Sequence, residues 1–202
     1  MKLLIASLIG YLLGSVPFAF VIGKVFYHTD VRQHGSGNLG GSNTGRVLGS
    51  KAGLAVMTLD LLKVTLSVFL AVTLSDHPWA AACGAISAAI GHCYPIFAKF
   101  RGGKAVAALY GFLFSLWVCL GYSPLMFFLP LITFLLILAA FKIVSLSSMV
   151  SSAAAVAYVW MLDGHHSLII ATAVFAALII VRHRGNIQRM LTGTERKISW
   201  MK

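Results

Sequence analysis

The chain has 202 residues, of which 59% are hydrophobic and 10% are charged, and its mean hydropathy is +0.89. Because soluble domains carry roughly 25% charged residues, this composition excludes an ordinary soluble enzyme and indicates an integral membrane protein. The formal net charge is +11, and the cations stand in short gaps between apolar runs, which favours anionic lipid or substrate over nucleic acid as the partner.

Seven apolar runs approach the roughly 20 residues needed to cross about 30 Å of hydrocarbon. The fourth and the last are short, so each crosses upright or only in part. The first run continues past Pro17, which favours a membrane helix over a signal peptide. The sequence therefore predicts an all-α, polytopic membrane protein with a single domain over residues 1–202. The runs are Leu3–Phe26, Ala52–Ser75, Trp79–Ala98, Ala105–Leu120, Ser123–Phe141, Ser145–Leu162 and Ser167–Val181.

Connections that contain lysine or arginine alternate along the chain with connections that contain neither. The turns around Asp76, Gly121 and Asp163 contain neither residue. Since cations tend to stay on the cytoplasmic side, the N-terminus is predicted outside and the C-terminus inside, with Lys2 alone opposing this orientation. The cationic segments are His28–Lys51, Lys99–Lys104, Lys142, and a tail that holds Arg182, Arg184, Arg189, Arg196, Lys197 and Lys202.

The first cationic connection contains the stretch HGSGNLGGSNTGR, His34–Arg46, with five glycines. Part of it matches a dinucleotide fingerprint, but that motif requires a soluble βαβ unit, and no lysine stands where a P-loop needs one. Glycine lets backbone amides converge on an anion, the next helix N-terminus favours negative charge, and Arg46 can donate two hydrogen bonds. We predict a phosphate cradle, with a flexible surface linker as the alternative. Neutral side-chain donors would be Ser36, Asn38, Ser42 and Asn43.

A second cluster, GHCYPIFAKFRGGK, places two glycines between two cations. Gly102 and Gly103 are predicted to let the chain turn so that Arg101 and Lys104 face one point. Cationic anchoring at the membrane surface is the alternative for either residue. We interpret Lys99 and Tyr94 as anchors at the membrane–water interface.

Several polar residues lie at or within the predicted spans. Pro95 should end or kink the third span, and the preceding His92 is either a general base or a structural hydrogen-bonding group. Asp60 and Lys63 stand three residues apart, so we predict a structural ion pair within the membrane. Ser145, at the inner boundary, either reaches the polar pocket or caps a helix.

These clusters resemble the bacterial acyl-phosphate:glycerol-3-phosphate acyltransferases over nearly the whole chain. The family pattern GSGNxGATNxxR is similar to Gly35–Arg46, GHxYPxFxxFRGGKxVAT to Gly91–Ala108, and HRxNIxRLxxGxE to His183–Glu195. The chain departs from these patterns at Gly41-Ser42, where the family has Ala-Thr, and at Ala108, which lacks the family's hydroxyl group.

The resemblance implies an enzyme of the bacterial cytoplasmic membrane with its active site on the cytoplasmic side. It would transfer a fatty acyl group from acyl phosphate to the sn-1 hydroxyl of glycerol 3-phosphate and form lysophosphatidic acid. Catalytic roles fall to Arg46, Lys104, His183 and Asn186. The polar pocket adds Ser36 and Ser145, and the backbone of Gly40, Gly41, Ser42 and Asn43 would bind the donor phosphate.

Both implied substrates are phosphates that repel each other, and a pocket containing Arg46, Arg101, Lys104 and Arg184 would offset that repulsion. Each charge-assisted hydrogen bond contributes about 1.5–3 kcal/mol. Acyl phosphate is already activated, so we predict direct transfer without an acyl-enzyme, driven by positioning and charge stabilisation. The base would be His183 or the acceptor's own phosphate.

A transporter or carrier of phosphorylated metabolites or anionic lipid is the alternative, although transporters commonly bind near the midplane between repeated halves. The three cysteines indicate neither a disulfide framework nor a metal site. We expect no cofactor, no metal, no nucleic acid and no obligate protein partner. Gly41→Val is expected to place a branched Cβ inside the phosphate cradle.

Overall fold

The computed structural model describes residues 1–162 and 165–198, and every regular element in these ranges is a helix. The predicted all-α class is therefore confirmed. Asp163 and Lys202, on which part of the predicted orientation rests, lie outside the described residues. The chain divides into two compact units, one from Met1 to Ser115 and the other from Leu116 onward. The single domain expected over residues 1–202 stays a prediction.

The first unit contains five complete helices and the start of a sixth. Small residues let its helices approach closely, as is common in membrane proteins. A Cβ added to Gly14 would overlap the carbonyl oxygen of Ala88, and one added to Gly91 would overlap the carbonyl oxygen of Tyr11. The helices are α1 (Lys2–Gly14), α2 (Phe18–Tyr27), α3 (Gly41–Leu48), α4 (Ser50–Leu74), α5 (Ala80–Cys93) and α6 (Val106–Val118).

Two prolines interrupt helices of the first unit. The predicted run Leu3–Phe26 is broken between α1 and α2 at Pro17, which has no backbone N–H and cannot continue the helical ladder. Pro95 follows the end of α5, as predicted, and a 3₁₀ turn at Ile96–Ala98 comes next.

The described residues of the second unit form the end of α6 and four further helices. The hydroxyl groups of Thr133 and Tyr158 lie 3.0 Å apart and connect two of them. The last two helices meet at His183 with a bend of 57°. The four helices are α7 (Leu125–Phe141), α8 (Val144–Leu162), α9 (His166–Arg182) and α10 (Arg184–Leu191).

Each of the seven predicted apolar runs contains helix, but the helices differ in length. Among the described residues, four helical segments are long and apolar enough to cross a membrane, the first of them being α1 together with α2. α9 with α10 would make a fifth if the bent pair is one span. α6 and α7 are apolar but shorter. The four long segments are Lys2–Tyr27, Ser50–Leu74, Ala80–Ala98 and Val144–Leu162. Seven crossings, and the orientation of the termini, stay predictions.

Two short helices were missed by the sequence analysis. α3 occupies part of the segment expected to be a loop, and α10 lies in the segment expected to be a tail. α3 contains two glycines, and each disfavours a helix by about 1 kcal/mol relative to alanine. The packing of α3 against α4 offsets this low helix propensity, because helical stability in proteins comes mainly from tertiary contacts.

Candidate active site

The side chain of Asn43 holds the glycine-rich segment in a closed loop. Its Oδ1 accepts a hydrogen bond from the Ser36 amide at 2.8 Å, and its Nδ2 donates to the carbonyl oxygens of Val31 at 2.9 Å and His34 at 3.2 Å. Asn43 is buried. The expected role of its amide group as a phosphate donor is therefore corrected: the group is directed to the backbone of the loop.

The start of α3 presents free backbone donors. The Asn43 amide donates to the Gly40 carbonyl oxygen at 3.1 Å, and the Gly40 amide donates to the Asn38 carbonyl oxygen at 3.1 Å. Within the described residues, the amides of Gly41 and Ser42 make no hydrogen bond. Of the four amides expected to bind phosphate, these two point out of the N-terminal end of the helix, where an anion is favoured.

Ser42 and Arg46 lie on one exposed face of α3. They are four residues apart, which places their side chains one above the other on a helix, and both are exposed. Ser36 is also exposed and Asn38 is half-buried. Two neutral side-chain donors and one guanidinium group are thus available to solvent on this segment.

Gly41 has a different physical role from the one expected. A Cβ added there would overlap the Met57 side chain and lie 2.6 Å from the Gly53 carbonyl oxygen, so it would point into α4. One turn later, a Cβ on Gly45 would make only an ordinary 3.5 Å contact with the Gly53 Cα. The expectation that a side chain on Gly41 would fill the phosphate cradle is wrong; glycine is required there for helix packing.

The segment from Arg101 to Lys104 ends with a half-buried lysine. Gly102 and Gly103 are buried and neither has a positive φ. That they let the chain turn so that Arg101 and Lys104 face one point stays a prediction. Positive φ occurs instead at their neighbours Lys99, Phe100 and Ala105, where side chains seldom tolerate it.

Arg101 is exposed and lines a cavity of about 450 Å³ together with Arg32. Arg32 forms a two-pronged ion pair with Asp30, with nitrogen–oxygen distances of 3.0 and 2.7 Å. This side-chain hydrogen bonding lowers the pKa of Asp30 to about 2. Asp30 therefore stays ionised at neutral pH. The remaining cavity residues are Asp30, Gln33 and Lys99.

The predicted ion pair between Asp60 and Lys63 is confirmed. Lys63 Nζ lies 2.7 Å from Asp60 Oδ1, and both side chains are buried. His92 joins them, with its Nδ1 at 3.5 Å from the same carboxylate oxygen. Of the two roles considered for His92, this contact favours the structural one.

In the second unit, Glu195 gathers three side chains. Its Oε1 accepts hydrogen bonds from Ser145 Oγ at 2.7 Å and from Asn186 Nδ2 at 2.6 Å, and its Oε2 accepts one from Arg189 Nε at 2.7 Å. Partial burial acts to raise the pKa of Glu195, but these bonds from Asn186, Ser145 and Arg189 outweigh it and lower the pKa below its ordinary value. Glu195 thus fixes two of the predicted pocket residues.

His183 is buried at the junction of α9 and α10. Its Nδ1 lies 2.7 Å from the carbonyl oxygen of Ile179, which can only accept, so Nδ1 carries the proton. The neutral ring then has its lone pair on Nε2, the atom that could accept a proton. The neighbouring Arg184 is exposed.

Sequence reasoning missed Glu195 and misassigned Asn43. Glu195 is the acid in the last polar cluster, but its partner Ser145 is 50 residues away, so no local spacing indicates the bond. The amides of Gly41 and Ser42 and the exposed guanidinium groups of Arg46 and Arg101 are groups that can bind an anion. In the described part of the chain, no group of three or more histidines, cysteines or acids could hold a metal ion.

Comparison with known proteins gives consistent matches over the chain. A family profile described as glycerol-3-phosphate acyltransferase matches residues 4–193. A protein named glycerol-3-phosphate acyltransferase from Geobacillus kaustophilus is 50% identical over 195 residues, covering 96% of this chain and 94% of the relative. One of the same name from Listeria monocytogenes is 45% identical over 203 residues, covering 99% and 98%.

Two solved structures have the same fold. Both are crystal structures of PlsY (YgiH), described as an integral membrane glycerol 3-phosphate acyltransferase. Its glycerol 3-phosphate form superposes with a TM-score of 0.90 at 34% identity, covering 98% of this chain and 96% of that one. Its lysophosphatidic acid form gives a TM-score of 0.88 at 33% identity with the same coverage.

Proposed function

The chain belongs to the glycerol-3-phosphate acyltransferase family, and from this premise we propose that it transfers a fatty acyl group from acyl phosphate to the sn-1 hydroxyl of glycerol 3-phosphate. The products are lysophosphatidic acid and inorganic phosphate. This reaction begins phospholipid synthesis. The related PlsY structures, solved with glycerol 3-phosphate and with lysophosphatidic acid, support the acceptor and the product of this proposal.

The observation that carries the phosphate chemistry is the N-terminus of α3. The amides of Gly41 and Ser42 face forward from this helix, and the exposed Arg46 shares a face with Ser42. An anion here gains hydrogen bonds, the helix dipole and a guanidinium charge together. We assign this place to a substrate phosphate.

The remaining site residues are assigned by chemistry. Lys104, Arg101 and Arg184 supply positive charge for two phosphates that repel each other. Ser36, Asn38, Ser145 and Asn186 supply neutral hydrogen-bonding groups, and Gly40 and Asn43 shape the loop. The reaction needs no cofactor, because acyl phosphate is a mixed anhydride and already activated.

The transfer proceeds in one step with both substrates bound. The sn-1 oxygen attacks the carbonyl carbon of acyl phosphate, the new ester C–O bond forms, and the bond to the phosphate oxygen breaks, so inorganic phosphate leaves. The hydroxyl proton goes to His183 Nε2 or to the acceptor's own phosphate. Cationic groups stabilise the charge that develops on the carbonyl and phosphate oxygens, and stabilisation of this kind commonly accounts for most of the rate enhancement in such reactions.

We place the enzyme in the bacterial cytoplasmic membrane, with seven crossings, the N-terminus outside and the active site on the cytoplasmic side. The apolar helices and the one-sided distribution of lysine and arginine support this placement. A site at the bilayer edge gives the acyl chain an apolar environment while both phosphates remain in contact with water.

The deciding experiment compares donors. Purified protein in detergent is supplied with glycerol 3-phosphate and either palmitoyl phosphate or palmitoyl-CoA, and lysophosphatidic acid is quantified. We expect lysophosphatidic acid with palmitoyl phosphate as the donor and none with palmitoyl-CoA. Turnover with palmitoyl-CoA but not with palmitoyl phosphate would refute the proposed donor. Binding of glycerol 3-phosphate without any turnover would favour the carrier function, since no gradient exists in detergent.

A further inference from the structure

Three ionisable side chains are buried together in the first unit, where the acyl transfer chemistry described above does not use them. Asp60, Lys63 and His92 are 2%, 6% and 5% exposed. One carboxylate oxygen of Asp60 lies 2.7 Å from Lys63 Nζ and 3.5 Å from His92 Nδ1. We call these residues the buried triad.

Lys63 connects the triad to the break between α1 and α2. Its ammonium group donates to the carbonyl oxygen of Val16 at 2.9 Å and lies 5.6 Å from the centre of the Phe18 ring. Buried ion pairs are weak stabilisers compared with apolar packing, and ionisable residues within membrane helices are usually functional. The triad therefore calls for a role beyond stability.

His92 supports the segment that precedes Lys104. The Gly103 amide donates to the His92 carbonyl oxygen at 2.9 Å. A Cβ added to Gly103 would overlap His92 Nε2, and one added to Gly102 would overlap the His92 carbonyl oxygen. The two glycines thus lie against the backbone and the ring of His92, and any side chain in their place would displace the segment.

The backbone beside this contact is held in conformations that side chains disfavour. Lys99, Phe100 and Ala105 have φ values of 54°, 58° and 60°. Such residues persist only where the surroundings determine the backbone strongly. The contact with His92, which lies between these strained positions, supplies such a constraint.

We propose that the buried triad positions Lys104. Asp60 and Lys63 hold the His92 ring in place, and His92 in turn holds the backbone of Gly102 and Gly103. This backbone conformation directs the Lys104 ammonium group toward a substrate phosphate. His92 is accordingly a positioning residue and not the base. The inference rests on the proposed function, because that function assigns Lys104 to substrate.

A double-mutant cycle between His92 and Lys104 tests this role. His92→Ala should lower kcat/KM for acyl transfer on the order of 100-fold, the effect of a small misplacement of a catalytic group. In a Lys104→Ala background the same change should lower it by less than about threefold, because residues that act through each other are not additive. Equal losses in both backgrounds would overturn the proposal.

Two further variants keep the test decisive. Gly103→Ala retains all three triad side chains and places a methyl group against the His92 ring, so it disturbs the contact between ring and segment and should show the same dependence on Lys104. It replaces His92→Ala in the cycle if that variant does not fold. His77→Ala removes an exposed histidine before α5 and should keep parental activity. If the parent and His77→Ala make no lysophosphatidic acid, the proposed function fails. If they do make it, and His92→Ala lowers kcat/KM by the same factor with and without Lys104, only the positioning role fails.

Discussion

Asn43 and Glu195 act on their neighbours through hydrogen bonds that the sequence does not reveal. Asn43 closes the glycine-rich loop by bonding the backbone at Val31, His34 and Ser36. Glu195 draws Ser145 and Asn186 to one carboxylate oxygen. Buried or half-buried polar groups that are fully bonded fix local geometry, so these two residues arrange groups that we assign to substrate.

Arg46 and Lys104 are expected to be essential for transfer. Replacing either with alanine removes a charge-assisted hydrogen bond to phosphate, and we expect kcat/KM to fall on the order of 100-fold or more. Arg46 is exposed and Lys104 is half-buried, so the melting temperature should change little.

Lys51→Ala is the matched control for these variants, since Lys51 is an exposed cation at the start of α4. It should retain transfer within a few-fold of the parent rate. The measurement is the initial rate of lysophosphatidic acid formation at varied glycerol 3-phosphate. Near-normal rates for both Arg46→Ala and Lys104→Ala would show that the site is assigned to the wrong residues.

At the scale of elements, the contact of α3 with α4 sets the position of the helix end to which we assign a substrate phosphate. Gly41 faces the Gly53 carbonyl oxygen and Met57, whereas Gly45 has ordinary room. The two glycines are one turn apart on the same helix, so they form an internal comparison for the same substitution.

Gly41→Ala should be damaging and Gly45→Ala should not. The first places a methyl group against backbone atoms of α4, and overpacking of this kind costs about 1–3 kcal/mol. The second gains up to about 1 kcal/mol of helix propensity. We expect a lower melting temperature and lower activity for Gly41→Ala alone. Equal behaviour of the two variants in thermal unfolding and transfer assays would contradict the packing role.

The apolar helices were predictable because each is a long run of one chemical character, and Pro95 marks its helix end locally. α3 and α10 were not predictable, because short polar helices depend on contacts made elsewhere in the fold. The ion pair of Asp60 with Lys63 followed from their spacing along a helix. The contacts of Glu195 with Ser145 and of His92 with Gly103 did not, since they join separate segments.

At the scale of the whole molecule, the proposed activity depends on the sidedness of charge. The described helices include several apolar ones, and the lysines and arginines lie mostly in connections that the sequence analysis assigns to the cytoplasm. A membrane enzyme with two phosphorylated substrates requires its anion-binding segments to face one aqueous phase. The three polar clusters must therefore be accessible from the same side.

Cysteine labelling in oriented vesicles measures this most directly. Gln33→Cys, Lys99→Cys and Gln188→Cys, all at exposed positions beside the three clusters, are introduced into a chain whose native cysteines are replaced, with Asp76→Cys as the opposite-side control. We predict that a membrane-impermeant maleimide labels the first three in inside-out vesicles only and Asp76→Cys in right-side-out vesicles only. Labelling of position 33 from the side opposite to positions 99 and 188 would contradict a single cytoplasmic site.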